Sequence, residues 1–384
     1  MKISIITLHR VLNFGSVLQA YSTCTVLKRL GHEPEIINYM EHRYTTLGVI
    51  KDTFKNTICE SSHSSNIKKA IKFILKTASY TIKRIKFNIF LARHIPMTAK
   101  RFTNFHDIKN SPPPADIYMT GSDQVWNSIY NGGIDRAHYL DFAPIGKPRI
   151  AYGASFGLDT LPQSEIQETR DLLIKYNAIS LRESSGVQII EKIGLSGAQQ
   201  VLDPTLLLAK DEWKNEFKLY HSPLRKKYLL IYSIDPQSDE LVYRIAKIIA
   251  KSRAIPIVRI SQGAKLPTFK GCTQRSFMAV RNFLRYFYYA DFVVASSFHG
   301  TAFSINFNKQ FVTVSPSKYS SRTRSLLDLV DLSHRLIENR NNKIDQSLID
   351  FDPVNRILEA ERIKSINFLL KSTSAQYKTN SSPS

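Results

Sequence analysis

The chain has 384 residues, 43% hydrophobic and 22% charged, a balance that builds packed cores and excludes a wholly disordered protein. That length suits two globular domains, and no apolar run approaches the length a membrane-spanning helix needs. The formal net charge of +21 favours anionic partners, whether phosphorylated substrates, nucleic acid or an acidic membrane surface, without choosing among them.

The chain opens MKISIITLHR, an apolar stretch too short for the core of a signal peptide. It reads instead as the first β-strand of a cytoplasmic protein. Further β-branched runs end in small or polar residues: EPEIINY (33–39), DIYMTG (116–121), RIAYGAS (149–155), AISLRE (178–183) and QQVLDP (199–204). A second series comprises KYLLIYSI (227–234), IPIVRIS (255–261), DFVVASS (291–297) and QFVTVS (310–315). Helical periodicity lies between such runs, as in VLQAYSTCTVLKRLG, where Gly31 reads as a C-cap. Alternating strands and helices predict an α/β protein with parallel sheets, as two Rossmann-like lobes facing a central cleft. Ligands of such folds sit at the carboxyl ends of strands. The predicted organisation is a first lobe over 1–210, a second over 211–345, a helix over 346–371 and a disordered tail over 372–384.

Inside the first lobe, residues 51–110 form a basic helical insert with thirteen Lys and Arg against Asp52, Glu60 and Asp107. Within it, residues 66–91 read NIKKAIKFILKTASYTIKRIKFNIFL. Ile67, Ile71, Ile74, Ala78, Ile82, Ile85 and Ile89 step by three or four, with Lys68, Lys69, Lys72, Lys76, Lys83 and Lys86 largely between them. Such a helix lies on an anionic membrane, or covers a lobe with its apolar face and leaves its lysines in water. Cys24, Cys59 and Cys272 are scattered, and neither a zinc motif nor a disulfide framework is visible.

Four strand-end stretches carry the polar chemistry. In NFGSVLQA, Asn13, Gly15 and Ser16 turn the chain and start a helix whose backbone amides attract anions or sugar hydroxyls; the plain alternative is a βα turn with Ser16 as N-cap. In GSDQVWN, Asp123 and Gln124 point toward a cleft and Trp126 offers a face for a sugar, or Asp123 caps a helix while Trp126 packs. In SLRESSG, Arg182 follows an apolar strand. Buried there it needs an anionic partner, either Glu183 or Asp203 of VLDPT, or a ligand phosphate or carboxylate. Arg259 has the same two readings, and DPTLLL reads as turn chemistry. In SSFHGTA, Ser297, Gly300 and Thr301 surround His299 at a strand-to-helix junction, where amides from Gly300 onward cradle an anion and the imidazole can donate a proton or bind the anion; the plain alternative is a hydrogen-bonded turn residue. Arg322 and Arg324 lie downstream, within reach of that anion or on the surface.

Taken in order, NFGSVLQAY, LKRLGHEPEIINY, TGSDQVWN, YLDFAP with RIAYGASFG, SLRESSG, VLDPTLLL and ADFVVASSFHGTAFSI resemble the polysaccharide pyruvyl transferase family. The resemblance covers most of residues 1–332 and implies a GT-B-like two-lobed fold. It implies transfer of pyruvate from phosphoenolpyruvate onto two hydroxyls of a sugar in a surface-polysaccharide precursor, often lipid-linked, to form a cyclic ketal. Phosphoenolpyruvate is then a co-substrate, with no other cofactor and no metal. By their motifs, Arg182 and His299 become donor contacts, joined by Arg259, Ser297, Gly300, Thr301 and Arg322. Asn13, Gly15, Ser16, Gln19, Asp123, Gln124 and Trp126 face the acceptor, and His299, Arg182 and Asp123 form the catalytic set. The chain departs from the family pattern at SFMAVRNFLRYFYYA, where relatives commonly carry a Gly-Pro pair and an acidic residue.

Two other classes fit part of the same features: a GT-B glycosyltransferase using a nucleotide sugar, and a non-enzymatic basic protein that binds anionic surfaces. No nucleic-acid module is recognisable, and the polar residues gather at strand ends rather than in a stripe.

Overall fold

The computed structural model describes residues 1–41, 66–261, 271–316, 320–342 and 344–374, with single positions 45, 48, 50, 51 and 54 between the first two segments. Side chains 66, 68, 69 and 72 and Cys59 lie outside that description.

Two parallel sheets, interleaved with helices, form two lobes. The first sheet has the order β3-β2-β1-β4-β5-β6-β7, from β1 (Lys2–Ile6), β2 (Glu33–Tyr39), β3 (Met97–Phe102), β4 (Ile117–Thr120), β5 (Arg149–Ala154), β6 (Ala178–Leu181) and β7 (Gln199–Gln200). The second has the order β10-β9-β8-β11-β12-β13, from β8 (Leu229–Ser233), β9 (Ile257–Ile260), β10 (Cys272–Arg275), β11 (Phe292–Ser296), β12 (Gln310–Val314) and β13 (Leu336–Ile337). Central strands such as β4, β8 and β11 are buried along their whole length, as expected when helices cover both faces of a parallel sheet.

Strand order reverses between β1 and β4 in the first sheet and between β8 and β11 in the second. A crevice opens at the carboxyl ends of strands where that happens. NFGS and GSDQ leave the first switch point; Ile234 and SSFHGT leave the second. The two switch points face each other.

The helix Phe14–Arg29 lies at this junction, capped by the Asn13 side chain on the Gly15 amide and stopped by Gly31 at φ +81°. Its residues are buried nearly all round, and Phe14 stacks on Phe283 of the second lobe at 4.5 Å between centroids. One hydrophobic cluster runs through both lobes. The helix Phe351–Ser372 crosses back: Ser365 Oγ accepts from the Leu202 amide, and Arg362 donates to Leu206 O and to Asn306 Oδ1. The expected tail falls mostly on 375–384, outside the described residues.

The basic stretch forms the helix Asn66–His94. Its isoleucine series does not cover a lobe. Ile67, Ile71, Ile74, Ile82, Ile85 and Ile89 are 43–74% exposed. Phe87, Phe90 and Leu91 on another face do the packing, against Phe14 and Tyr21. Among the described residues, no helix is long and apolar enough to cross a membrane.

Candidate functional site

Arg182, at the end of β6, is almost fully buried, and three carboxylates surround its guanidinium. Nη1 donates to Asp203 Oδ2 at 2.8 Å, Nη2 lies 3.7 Å from Asp123 Oδ1, and Nε lies 4.0 Å from Glu183 Oε2. Its face lies on the Phe298 ring, 4.2 Å from the centroid. The plain reading of Arg182, a partner in Asp203, therefore holds, while Nε and Nη2 make no hydrogen bond. Asp203 does two jobs. Oδ1 caps the turn at Thr205, and Oδ2 also accepts from Ser122. The turn and the Arg182 pairing are both among the readings the sequence allows; the bond from Ser122 is not.

Asp123 sits at φ +85°, a left-handed conformation uncommon for a non-glycine residue, held by a parallel bridge to Ala154. Its Oδ2 accepts from Ser16 Oγ at 2.5 Å. The N-cap is thus Asn13, and Ser16 orients Asp123 instead. Burial pushes the Asp123 carboxyl up, but Arg182, then His299, Ser16 and Arg322, outweigh it and hold the group below its usual range. For Asp203, burial is likewise outweighed, by His299, Arg182 and Thr205, and its carboxyl lies far below the usual range. Glu183 differs. Burial dominates and raises its carboxyl despite Arg182 and Arg322, while Oε1 accepts from Ser155 and from the Gly157 amide.

From the opposite lobe, Ser297 Oγ caps the helix Phe298–Asn306 by accepting from the Gly300 amide, and the Thr301 amide donates to Ser297 O. The amides expected to cradle an anion are thus used internally. The first-turn donors that remain are those of Phe298 and His299. Gly300 is required by packing: a Cβ there would stand 2.9 Å from the Ala295 Cβ. Thr301 bonds Thr313. His299 is buried against the first lobe. A Cβ on Gly15 would stand 2.0 Å from its Nδ1, so only glycine admits the ring. His299 Nε2 faces Asp203 Oδ2 at 3.7 Å, too long for a hydrogen bond, and has no other partner. Arg322 approaches the Phe298 ring at 6.0 Å. Burial and the charge of Arg182 lower it to about 10, so it stays cationic, and it makes no ion pair among the described residues.

Asn13, Ser16, Asp123, Tyr232, His299 and Arg322 wall a hollow of about 50 Å³. Through Gln124, Ile234, Ser297, Phe298 and Arg322 it adjoins one of about 450 Å³ that reaches Tyr130 and Pro316. Two hollows of about 620 and 520 Å³ lie elsewhere, lined by residues such as Lys147 and Lys364, and gather no comparable buried titratable cluster. Chemistry rather than size selects the cleft.

Three expected contacts are engaged elsewhere. Trp126 is a core residue, stacked on Tyr139 with its Nε1 donating to His138 O. Gln19 is buried and ties Thr7 Oγ1 to Ser16 O. Arg259 pairs with Asp239 at 2.6 Å on β9, separated from β11 by β8. Arg324 pairs with Glu338 at the surface. A grouping not visible in the sequence brings Glu41, Asp135 and His138 together, with ligand atoms within 4.8 Å of one another. Asp135 there already accepts from Tyr39 and faces His138 Nδ1 at 3.3 Å.

Fold and site define a two-lobed α/β protein whose facing switch points enclose the buried Arg182 with its carboxylates and His299, beside a half-buried Arg322. The chain belongs to the polysaccharide pyruvyl transferase family, whose profile matches residues 13–318. No curated protein matches it. Among solved structures it is similar to the UDP-N-acetylglucosamine 2-epimerase from Rickettsia bellii, at 9% identity over 97% of this chain and 98% of that one, with a TM-score of 0.43. It is also similar to a putative UDP-N-acetylglucosamine 2-epimerase from Listeria monocytogenes, at 12% identity over 95% and 96%, TM-score 0.45. A third is the E. coli heptosyltransferase WaaC with ADP, at 13% identity over 94% and 100%, TM-score 0.40.

Proposed function

We propose that the chain transfers pyruvate from phosphoenolpyruvate onto two hydroxyls of a sugar in a surface-polysaccharide precursor, forming a cyclic ketal and releasing phosphate. The observation that carries this reading is a concentration of buried polar atoms without hydrogen bonds: Arg182 Nε and Nη2, His299 Nε2, Arg322 Nε and Glu183 Oε2. Buried polar groups are nearly always paired, so a cluster left unpaired calls for a ligand. Phosphoenolpyruvate brings two anionic groups that can accept from the arginine and histidine nitrogens of this set.

In this scheme Arg322 is the main clamp, since three carboxylates already offset Arg182. The reacting group occupies the small hollow and the sugar the larger one, which is within the usual range for ligand sites. His299 gives a proton to the methylene carbon, and C2 becomes cationic. One sugar hydroxyl adds to C2, with its proton passing to Asp123. The C2–O bond to phosphate breaks, and the second hydroxyl adds to C2. Of the two hydroxyl protons, one replaces the proton His299 gave and one leaves with phosphate. The first lobe serves the acceptor and the second the donor, with Arg182 reaching across. No further cofactor enters, and the reaction runs in the cytoplasm.

The test is incubation with phosphoenolpyruvate and a panel of glycosides, following phosphate release and the mass of the glycoside. Release coupled to a stable mass gain is expected. Tight binding of a nucleoside diphosphate, with no phosphate release from phosphoenolpyruvate across the panel, would assign the cleft to glycosyl transfer instead.

A further inference from the structure

The helix Asn66–His94 presents apolar surface on two faces. One, with Phe87, Phe90 and Leu91, is buried where the lobes meet, and Lys86 Nζ donates to Phe277 O of the second lobe. The other carries Ile67, Ile71, Ile74, Ile82, Ile85 and Ile89 in water, with Leu75 beside them at 59% exposure. From Ile67 to Ile89 the stripe runs about 33 Å at 1.5 Å per residue. The helix holds eight Lys and Arg and no Asp or Glu. An exposed apolar stripe of that length is uncommon on a protein that works alone in water.

The charge decides what covers it. A second copy of the chain would bring another helix of the same positive sign against the first, and like charges at an interface repel. Lys83 and Lys86 are engaged on the packed side, over Phe87 and on Phe277 O, but the helix as a whole is positive, and an anionic bilayer surface offers it the opposite sign and an apolar interior for the isoleucines. We infer that the isoleucine stripe of the helix Asn66–His94 seats in the headgroup region of an anionic lipid bilayer, holding the cleft at a membrane surface. The helix packs on both lobes, against Phe14 of the first and with Phe277 of the second, so docking it orients the whole molecule. This inference does not depend on the reaction in the cleft.

The test is flotation of the full-length protein with vesicles of neutral phosphatidylcholine, or of phosphatidylcholine with 30% phosphatidylglycerol, at low and high salt. Binding to the anionic vesicles alone, weakened by salt, is expected. The variant Ile71→Ser/Ile74→Ser/Ile82→Ser should bind at least about tenfold more weakly, with unchanged circular dichroism and an unchanged urea midpoint. Equal binding to neutral vesicles, no binding to either, or undiminished binding by the variant would overturn the inference. So would a wild-type dimer in sedimentation that the variant dissolves, since it would give the stripe to a second copy. Vesicle binding without pyruvyl transfer would overturn the proposed reaction and leave the membrane surface standing.

Discussion

Arg182 and Arg322 flank the same Phe298 ring, yet their charges stand differently. Arg182 is bound into a carboxylate nest, so its loss would leave Asp123, Glu183 and Asp203 uncompensated in the interior, a change that breaks the fold before it informs on chemistry. Arg322 is the better probe. Arg322→Ala should raise the KM for phosphoenolpyruvate about tenfold or more with a smaller change in kcat, as expected for lost ground-state binding. Steady-state kinetics at varied donor concentration check it, and an unchanged KM would remove Arg322 from the donor site. His299→Ala should lower turnover at least about 100-fold while circular dichroism stays native, if the imidazole moves a proton. At this scale the sequence was legible where a residue type is costly to bury. Arg182 and His299 stood out because a charge or an imidazole at a strand end needs a partner. Trp126 misled, since an indole packs in a core as readily as it stacks on a sugar, and only the fold decides. Asp203 is legible twice, as turn chemistry before proline and as one of two candidate partners for a buried Arg182, and both readings hold. The bond its second oxygen accepts from Ser122 has no sequence signal.

Helices and strands carry the next set of consequences. The Asn13 cap and the Gly15–His299 contact lie in the same turn. Asn13→Ala should cost about 1 kcal/mol by loss of the cap, read as a lower urea midpoint. Gly15→Ala should cost more, about 1–3 kcal/mol from overpacking. It should also depress turnover as strongly as His299→Ala, because the new methyl must displace the ring. Normal activity in Gly15→Ala would mean the ring is free to move and would separate the two residues functionally. Ten runs mark strands correctly, nine of them because inner parallel strands are apolar on both faces, while the edge strand β7 is marked by the VL that follows its two glutamines. The strands missed were β3, β10 and β13, all at sheet edges and either partly exposed or only two residues long. Edge strands lack the continuous apolar pattern on which recognition depends. The helix Asn66–His94 was visible, but the face it buries was not, since phenylalanines outside the isoleucine series made the contact.

For the whole molecule, acid sensitivity is the measurable outcome. Burial, then Arg10, lower the buried His9 from its ordinary 6.5 to about 3, and burial lowers His32 and His94 as well. A histidine held neutral by folding contributes stability above its unfolded value, and that contribution is lost as pH falls from about 6.5 toward 3. Asp123 and Asp203, held low, withdraw theirs at still lower pH. Glu183 has the opposite sign: its raised carboxyl favours the fold in acid and loses that contribution as pH rises through its folded value. Stability should therefore fall between pH 6.5 and 4 by up to about 1.4 kcal/mol per pH unit through His9. His9→Gln should flatten the dependence in urea titrations at pH 7 and pH 5, and an unchanged slope would show that His9 is not the sensitive group. The glycine at position 15 also limits how the molecule can be recombined. Its missing side chain is the space that a histidine from the other lobe fills, so each lobe carries half of a lock and key. A chimera that takes its first lobe from a relative will keep the second lobe's histidine in place only if the donor sequence also has glycine there. Lobe exchange to alter acceptor choice should therefore join the pieces so that the NFGS turn and the FHG turn come from the same parent.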